Sequence, residues 1–359
     1  MHKTIAVLSG DGIGPEVMEQ TLRVLDAVAK KYQHNFTYLE AKIGGAAYDT
    51  YSEHCPDETL EICKKSDAIL FGSVGGPITE QHQPKWAGCE ANSILKLRKH
   101  FQFNINVRPV LIYPSLAALS PLRAEKISHG IDILIFRELN GDLYFGRHEQ
   151  RVEKGQRVAT DEAIYDESQI ASIAHAAFQS AEQRKGKLVS VDKANVLATS
   201  KLWREVVNEV GKKYPDVELT HILVDNCAMQ LIIHPAQFDV ILAPNMFGDI
   251  LSDLAAALPG SLGLIPSISL NAQGFGLYEP SGGSAPDIAG MNIANPIAQI
   301  LSATMMLRHS FNLHNEADAI EHAIQQALAA GGRTKDIASS GEVAVSTCGF
   351  VDKILDVMR

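Results

Sequence analysis

Strand-like apolar runs alternate with helical patterns from the first residues of this chain. Residues 4–9 read as a strand and 15–31 as a helix, then 35–43 as a strand, 57–65 as a helix and 68–71 as a strand. Parallel strands need crossover connections, so this alternation predicts an α/β fold with largely parallel sheets flanked by helices. The stretch GSVGGPITEQHQPKWAGCE (72–90) has no periodicity and is expected to be functional or mobile. From residue 101 the texture changes. Residues 104–113, 131–139, 143–146 and 151–160 are strand-like without intervening helices, which predicts an antiparallel or mixed region. A helix (168–184), a strand (187–192), a helix (200–214) and a strand (218–224) restore the alternation. The last third reads as loop and helix, with 274–292 rich in Gly, Pro and Ser and helices near 296–311, 317–330 and 342–358.

At 359 residues the chain is long enough for two domains with their own cores. The expected division is a discontinuous domain of residues 1–100 plus 256–359 around a central domain of 101–255. A net charge of −10 argues against a nucleic-acid partner, which would require a basic footprint. No run reaches the roughly 18 apolar residues of a spanning helix, so no membrane partner is expected. The five cysteines are scattered, with no CxxC, and read as free thiols in a reducing compartment, the cytoplasm by default. The turn Gly10-Asp11-Gly12-Ile13-Gly14-Pro15 stands where a dinucleotide-binding turn would lie. Its fingerprint needs glycine where Pro15 stands; Pro15 starts a helix well but leaves the pyrophosphate role unsupported. A standard Rossmann site is therefore not expected.

The chemistry centres on residues 238–253, FDVILAPNMFGDILSD. A buried strand stops at Pro244 and Asn245, and the helix that follows places Asp249 and Asp253 four residues apart on one face. No basic residue shares their turns, and a hard divalent cation would relieve their repulsion. Asp225 is a third carboxylate at a strand end, and Lys193 closes the strand before it, where a cleft lysine could serve as a base. Arg98, Arg108 and Arg137 flank buried runs, and Tyr144 lies in a glycine-bounded segment. Taken singly, each arginine reads as half of an internal salt bridge. As a set they suit a small polycarboxylate, because the guanidinium fork matches a carboxylate.

Eight segments together resemble the β-decarboxylating dehydrogenase family, which includes isocitrate and isopropylmalate enzymes. They are GDGIGPEV (10–17), GSVGGP (72–77), LRKHF with NVRP (97–109), IFRELNGDLYFG (135–146), VDKANVL (191–197), VDNCAMQL (224–231), NMFGDILSDLAAAL (245–258) and GLYEPSGGSAPDIAGMNIANP (276–296). The resemblance implies the two-domain isopropylmalate-dehydrogenase-like α/β fold, with parallel and mixed sheets, rather than a standard Rossmann fold. It implies that Arg98, Arg108 and Arg137 grip the malate carboxylates, and that Asp225, Asp249 and Asp253 hold Mg²⁺ or Mn²⁺. Lys193 and Asp225 would reach each site from the second subunit of a homodimer. Lys193 would take the hydroxyl proton during hydride transfer, and Tyr144 would protonate the carbon left by CO₂.

Substrate and cofactor follow from the same resemblance. Ile94 and Leu95 would wall the pocket for an isopropyl group, whereas a carboxylate there would be desolvated without a partner. Ser93 keeps isocitrate in play, and homoisocitrate and tartrate enzymes are the other sisters. Asp287 would accept hydrogen bonds from the adenosine ribose and repel a 2′-phosphate, which selects NAD over NADP. Pro77, Glu90, Gly282, Gly283, Ser284, Ala285, Ile288, Ala294 and Asn295 complete the implied cofactor contacts. Gly282 stands where the family often has a histidine against the adenine. A catalytically dead paralogue would be expected to lack Lys193, Tyr144 or one of the three aspartates, and none is missing. A metal-dependent hydrolase would leave the Asp287 loop without purpose.

Overall fold

The computed structural model describes all 359 residues. Its first strands are β1 (His2–Gly10), β2 (Asn35–Glu40), β3 (Ala68–Ser73), β4 (Ile105–Leu111), β5 (Asp132–Glu138) and β6 (His148–Glu153). The others are β7 (Gln156–Asp161), β8 (Lys187–Asp192), β9 (Glu218–Leu223), β10 (Val240–Ala243), β11 (Pro266–Leu270) and β12 (Gly276–Pro280). The chain divides into two compact units. One comprises Met1–Phe101, Tyr113–Ser120 and Pro259–Arg359, the other Gln102–Ile112 and Pro121–Leu258. Unlike the division read from sequence, the segment Tyr113–Ser120 packs with the first unit.

In the first unit the strand order is β2-β1-β3-β12-β11, parallel throughout except for the antiparallel pair β11–β12. Every residue of β3 is buried, as expected for a parallel strand covered on both faces. The helix Gly14–Tyr32 buries Val17, Thr21, Val24, Leu25 and Val28, a stripe at helical spacing. Each of the four aliphatic side chains contributes about 1.5–3 kcal/mol through burial. The turn after β1 leads through this helix to β2, parallel and adjacent to β1, but the strand order of the unit departs from the doubly wound Rossmann order.

In the second unit the order is β4-β5-β10-β8-β9, with β4–β5 antiparallel and the remainder parallel. All four residues of β10 are buried, and the helix Asn245–Ala256 follows directly. That helix approaches β5 closely because residue 248 is glycine: a Cβ there would lie 2.8 Å from Arg137 Cβ. β6 and β7 form a separate two-stranded hairpin, turned by Lys154 and Gly155 at positive φ.

Several local expectations are corrected. Residues 143–146 form a turn rather than a strand, and 151–160 belong to the β6–β7 hairpin rather than one strand. The last third, read as loop and helix, also contains strands: β11 precedes the Gly-rich stretch 274–292 and β12 lies within it. The last helix starts at Thr347, and a helix not foreseen covers Gly45–Tyr51. The segment 72–90 is not structureless. It contains a 3₁₀ turn at Ile78–Glu80, and Trp86 packs over Gly76 and Gly45, where any Cβ would strike its ring.

Candidate active site

In the second unit, adjacency of β4, β5 and the helix Asn245–Ala256 brings four charged side chains and a phenol together. Arg108 on β4 donates from Nη1 to Asp253 Oδ1 at 2.8 Å and to Ser252 Oγ at 2.9 Å, and its Nη2 lies 3.8 Å from Asp249 Oδ1. Arg137 on β5 is buried, pairs with Asp249 through Nη1, and donates from Nε to Asn245 Oδ1 at 2.9 Å. Tyr144 Oη donates to the other oxygen of Asp249 at 2.6 Å. The helix itself supplies no cation for its aspartates, as its sequence indicates; the neighbouring strands supply two. Burial, then the hydrogen bond to Asp249 and its charge, push the Tyr144 hydroxyl above its ordinary pKa against the opposing Arg137. The phenol is therefore protonated at neutral pH and able to give up a proton.

Lys193 and Asp225 form an ion pair with each other and make none with that cluster. Asp225 sits in the first turn of the helix Val224–Ile233 rather than at a strand end. The hydrogen bond from Lys193 holds its carboxyl below the usual range. Within one chain no three acidic, histidine or cysteine side chains gather closely enough to hold a metal ion. Asp249 and Asp253 alone present an all-oxygen pair on one helix face, the donor chemistry that Mg²⁺ or Mn²⁺ takes.

The first unit holds a cleft of about 550 Å³ lined by Gly282, Gly283, Ala285, Ile288, Ala294 and Asn295, all candidates from sequence. Pro77, Glu90, Ser284 and Asp287 do not line it. Ser284 is buried, and its carbonyl accepts from the Ile13 N–H at 2.8 Å. Gly12 is glycine because a Cβ would collide with that carbonyl at 1.9 Å. The β1 turn thus spends its amides inside the protein. Asn295 is also committed: Oδ1 accepts from Ile297 N at 3.0 Å and Nδ2 donates to Asp336 at 3.0 Å.

Sequence reading missed Asp336, Lys335, Leu262 and Gln299 in the same cleft. Gln299 is buried, and neither its carboxamide oxygen nor its nitrogen has a partner. Nothing local in the sequence distinguishes it from an ordinary helix residue. Arg98, also in this unit, donates to Glu279 at 2.9 Å while its Nε is buried and unpaired. Ile94 is buried and Leu95 half-buried on the same helix, Ile94–His100. Ser93 is fully buried, and its hydroxyl donates to the Cys89 carbonyl at 2.5 Å.

The sequence model of the family described as isocitrate/isopropylmalate dehydrogenase matches residues 4–354. A protein of Desulfotalea psychrophila named 3-isopropylmalate dehydrogenase is 55% identical over 354 residues, covering 98% of this chain and 99% of its own. A protein of Escherichia coli with the same name is 54% identical over 344 residues, covering 96% of this chain and 94% of its own. Among solved structures, the isocitrate dehydrogenase of Methylococcus capsulatus superposes with a TM-score of 0.86 at 29% identity, over 100% of both chains.

Proposed function

The chain belongs to the isocitrate/isopropylmalate dehydrogenase family, and we infer that it oxidises 3-isopropylmalate with NAD. The products are 4-methyl-2-oxopentanoate, CO₂ and NADH, a step of leucine biosynthesis. The observation that carries this reading is the likeness, over nearly its full length, to relatives bearing that enzyme's name. The state of Ser93 agrees: its hydroxyl is spent on a backbone carbonyl, so no free donor meets a third carboxylate beside Ile94 and Leu95. Burying that carboxylate unpaired would be unfavourable, whereas an isopropyl group loses nothing.

Arg108 and Arg137 pair with Asp253 and Asp249, a neutral set. A substrate dianion and a divalent cation arriving together leave it neutral, with arginines facing carboxylates and aspartates facing the cation. In the first unit, Arg98 keeps a buried Nε without a partner, a donor the family resemblance assigns to a substrate carboxylate. Asp225, in turning to the metal, would release Lys193 from their ion pair. The Lys193 ammonium would first lose a proton to solvent, and the neutral amine would then take the hydroxyl proton. The protonated Tyr144 would deliver one to the carbon that loses CO₂. The chemistry supplied by the bound groups is hydride acceptance by NAD and Lewis-acid polarisation of the C2 oxygen by Mg²⁺ or Mn²⁺. The cleft of the first unit suits the cofactor. Gly282 and Gly283 leave its wall open, and the unpaired carboxamide of Gln299 marks it for a polar ligand. Asp287, exposed in the same loop, accepts from ribose hydroxyls and disfavours the 2′-phosphate of NADP.

Lys193 and Asp225 act in the site of a second copy of the chain. Asp225, Met229 and Ile232 fall four and seven residues along one helix face, and Met229 and Ile232 are exposed apolar side chains. Ile250, on the helix that holds Asp249, is exposed as well. Covering these apolar side chains in a homodimer would carry Asp225 towards the partner's aspartates. The deciding measurement is NADH formation from 3-isopropylmalate, isocitrate, homoisocitrate and tartrate, with NAD or NADP and with or without EDTA. The expected result is turnover of 3-isopropylmalate with NAD alone, abolished by EDTA. Turnover that survives EDTA, or a preference for isocitrate, overturns the reading.

A further inference from the structure

A carboxyl group is sealed beneath the site, and the reaction above makes no direct use of it. Glu138 ends β5 and is fully buried. Its two oxygens accept from the backbone N–H groups of Asn140 and Gly141, each at 2.7 Å. The third donor is the Tyr165 hydroxyl. The Tyr165 oxygen itself accepts from the Asn245 N–H at 2.8 Å, so its single proton is directed to Glu138. Asn245 in turn holds Arg137 through Oδ1 and donates from Nδ2 to the Gly141 carbonyl at 3.1 Å. Asp142, in the left-handed region at φ 71, accepts from the Met246 N–H at 3.1 Å. Gly141 admits no side chain, because a Cβ would lie 2.3 Å from the Tyr165 ring. Glu138 therefore braces the loop that presents Tyr144 directly, and meets the helix that presents Asp249 only indirectly, through the Tyr165 hydroxyl.

We propose that Glu138 is a positioning residue for proton delivery: acting through the Asn140 and Gly141 amides and the Tyr165 hydroxyl, it fixes the Tyr144 phenol against Asp249. This rests on the reading above, in which Tyr144 is the proton donor. A carboxylate is the one side chain of this shape that accepts at both oxygens. A glutamine in its place turns an NH₂ towards an N–H, so one of the two amide contacts becomes a donor facing a donor. The loop would then shift, and Tyr144 with it, while Arg108, Lys193 and the cofactor cleft are untouched.

The test separates the two chemical steps in a single turnover of the holoenzyme with NAD, Mg²⁺ and 3-isopropylmalate. NADH reports hydride transfer, and the keto acid reports the completed proton transfer. In Glu138→Gln, NADH should appear within about threefold of the wild-type rate while the keto acid forms on the order of 10²-fold more slowly. Tyr165→Phe, which keeps the ring and removes only the hydroxyl, should show the same split and serves if Glu138→Gln does not fold. The double variant Glu138→Gln/Tyr144→Phe should be no slower in keto acid formation than Tyr144→Phe alone. Equal slowing of both products would show a general structural defect and overturn the proposal, as would multiplicative losses in the double variant or wild-type rates in both single variants. A wild-type enzyme that forms no NADH from 3-isopropylmalate instead overturns the assigned reaction.

Discussion

Asp249 and Asp253 place two like charges on one helix face, and Arg137 and Arg108 neutralise them from neighbouring strands. Their spacing of four on a helix after a buried strand is legible from the chain alone. Their compensation by Arg137 and Arg108 is not, because it depends on β5 pairing with both β4 and β10. Glu138 was equally silent, since a glutamate at a strand end reads as a solvated residue. Its burial raises the carboxyl from its ordinary 4.5 to about 7, against the opposing hydrogen bonds of Asn140, Gly141 and Tyr165. The folded protein thus binds this proton more tightly than the unfolded chain. The resulting stabilisation is fully present below about pH 4.5 and is lost as pH rises through about 7. Glu138→Gln removes the titration. The unfolding free energy of wild type minus that of the variant should therefore fall across this window and flatten above it. A difference that stays level throughout would show that Glu138 titrates as an ordinary carboxyl.

At the level of elements, the turn after β1 has the glycines of a phosphate-binding loop and a different use for them. Asp11 within it is buried and accepts from the backbone N–H groups of Gly45, Ala46 and Gly75 at 2.8, 2.8 and 3.0 Å. It joins its own turn to the first residues of the helix Gly45–Tyr51 and to the segment that follows β3. Asp11→Ala would orphan three buried or half-buried amides and should destabilise the first unit by at least about 3 kcal/mol, read as a lowered Tm. A Tm within a degree or so of wild type would mean that other groups or water satisfy those amides. Pro15 starts the helix Gly14–Tyr32, and only the packed structure shows where the amides and the carboxylate of the preceding turn are used. The β11–β12 pair escaped sequence reading for a related reason. Its strands are five residues each, in a Gly- and Ser-rich context where period-2 patterning is too short to register.

The whole molecule raises the question of what covers the exposed apolar side chains Met229, Ile232 and Ile250. A homodimer with exchanged Lys193 and Asp225 makes a sharp prediction. Lys193→Ala and Asp249→Asn are each inactive alone. Denatured together and refolded, half of the dimers are mixed, and each mixed dimer contains one site with both residues intact. Activity should return to about a quarter of wild type. No recovery, with mixed dimers verified by mass, would place both residues in the site of their own chain. Ile232→Glu should shift the protein to monomer in light scattering and abolish turnover with it.

The sequence by itself determined the alternation of elements, the family, and the chemical types gathered for the reaction. Periodicity and residue chemistry are local properties that survive without contacts. Tertiary structure alone decided which charges neutralise which, that Ser93 and the β1 amides are already spent, and that Gln299 and Glu138 lie buried at the two sites. Those outcomes follow from burial and from pairing between strands and loops far apart in the chain, and burial and pairing exist only once the chain has folded.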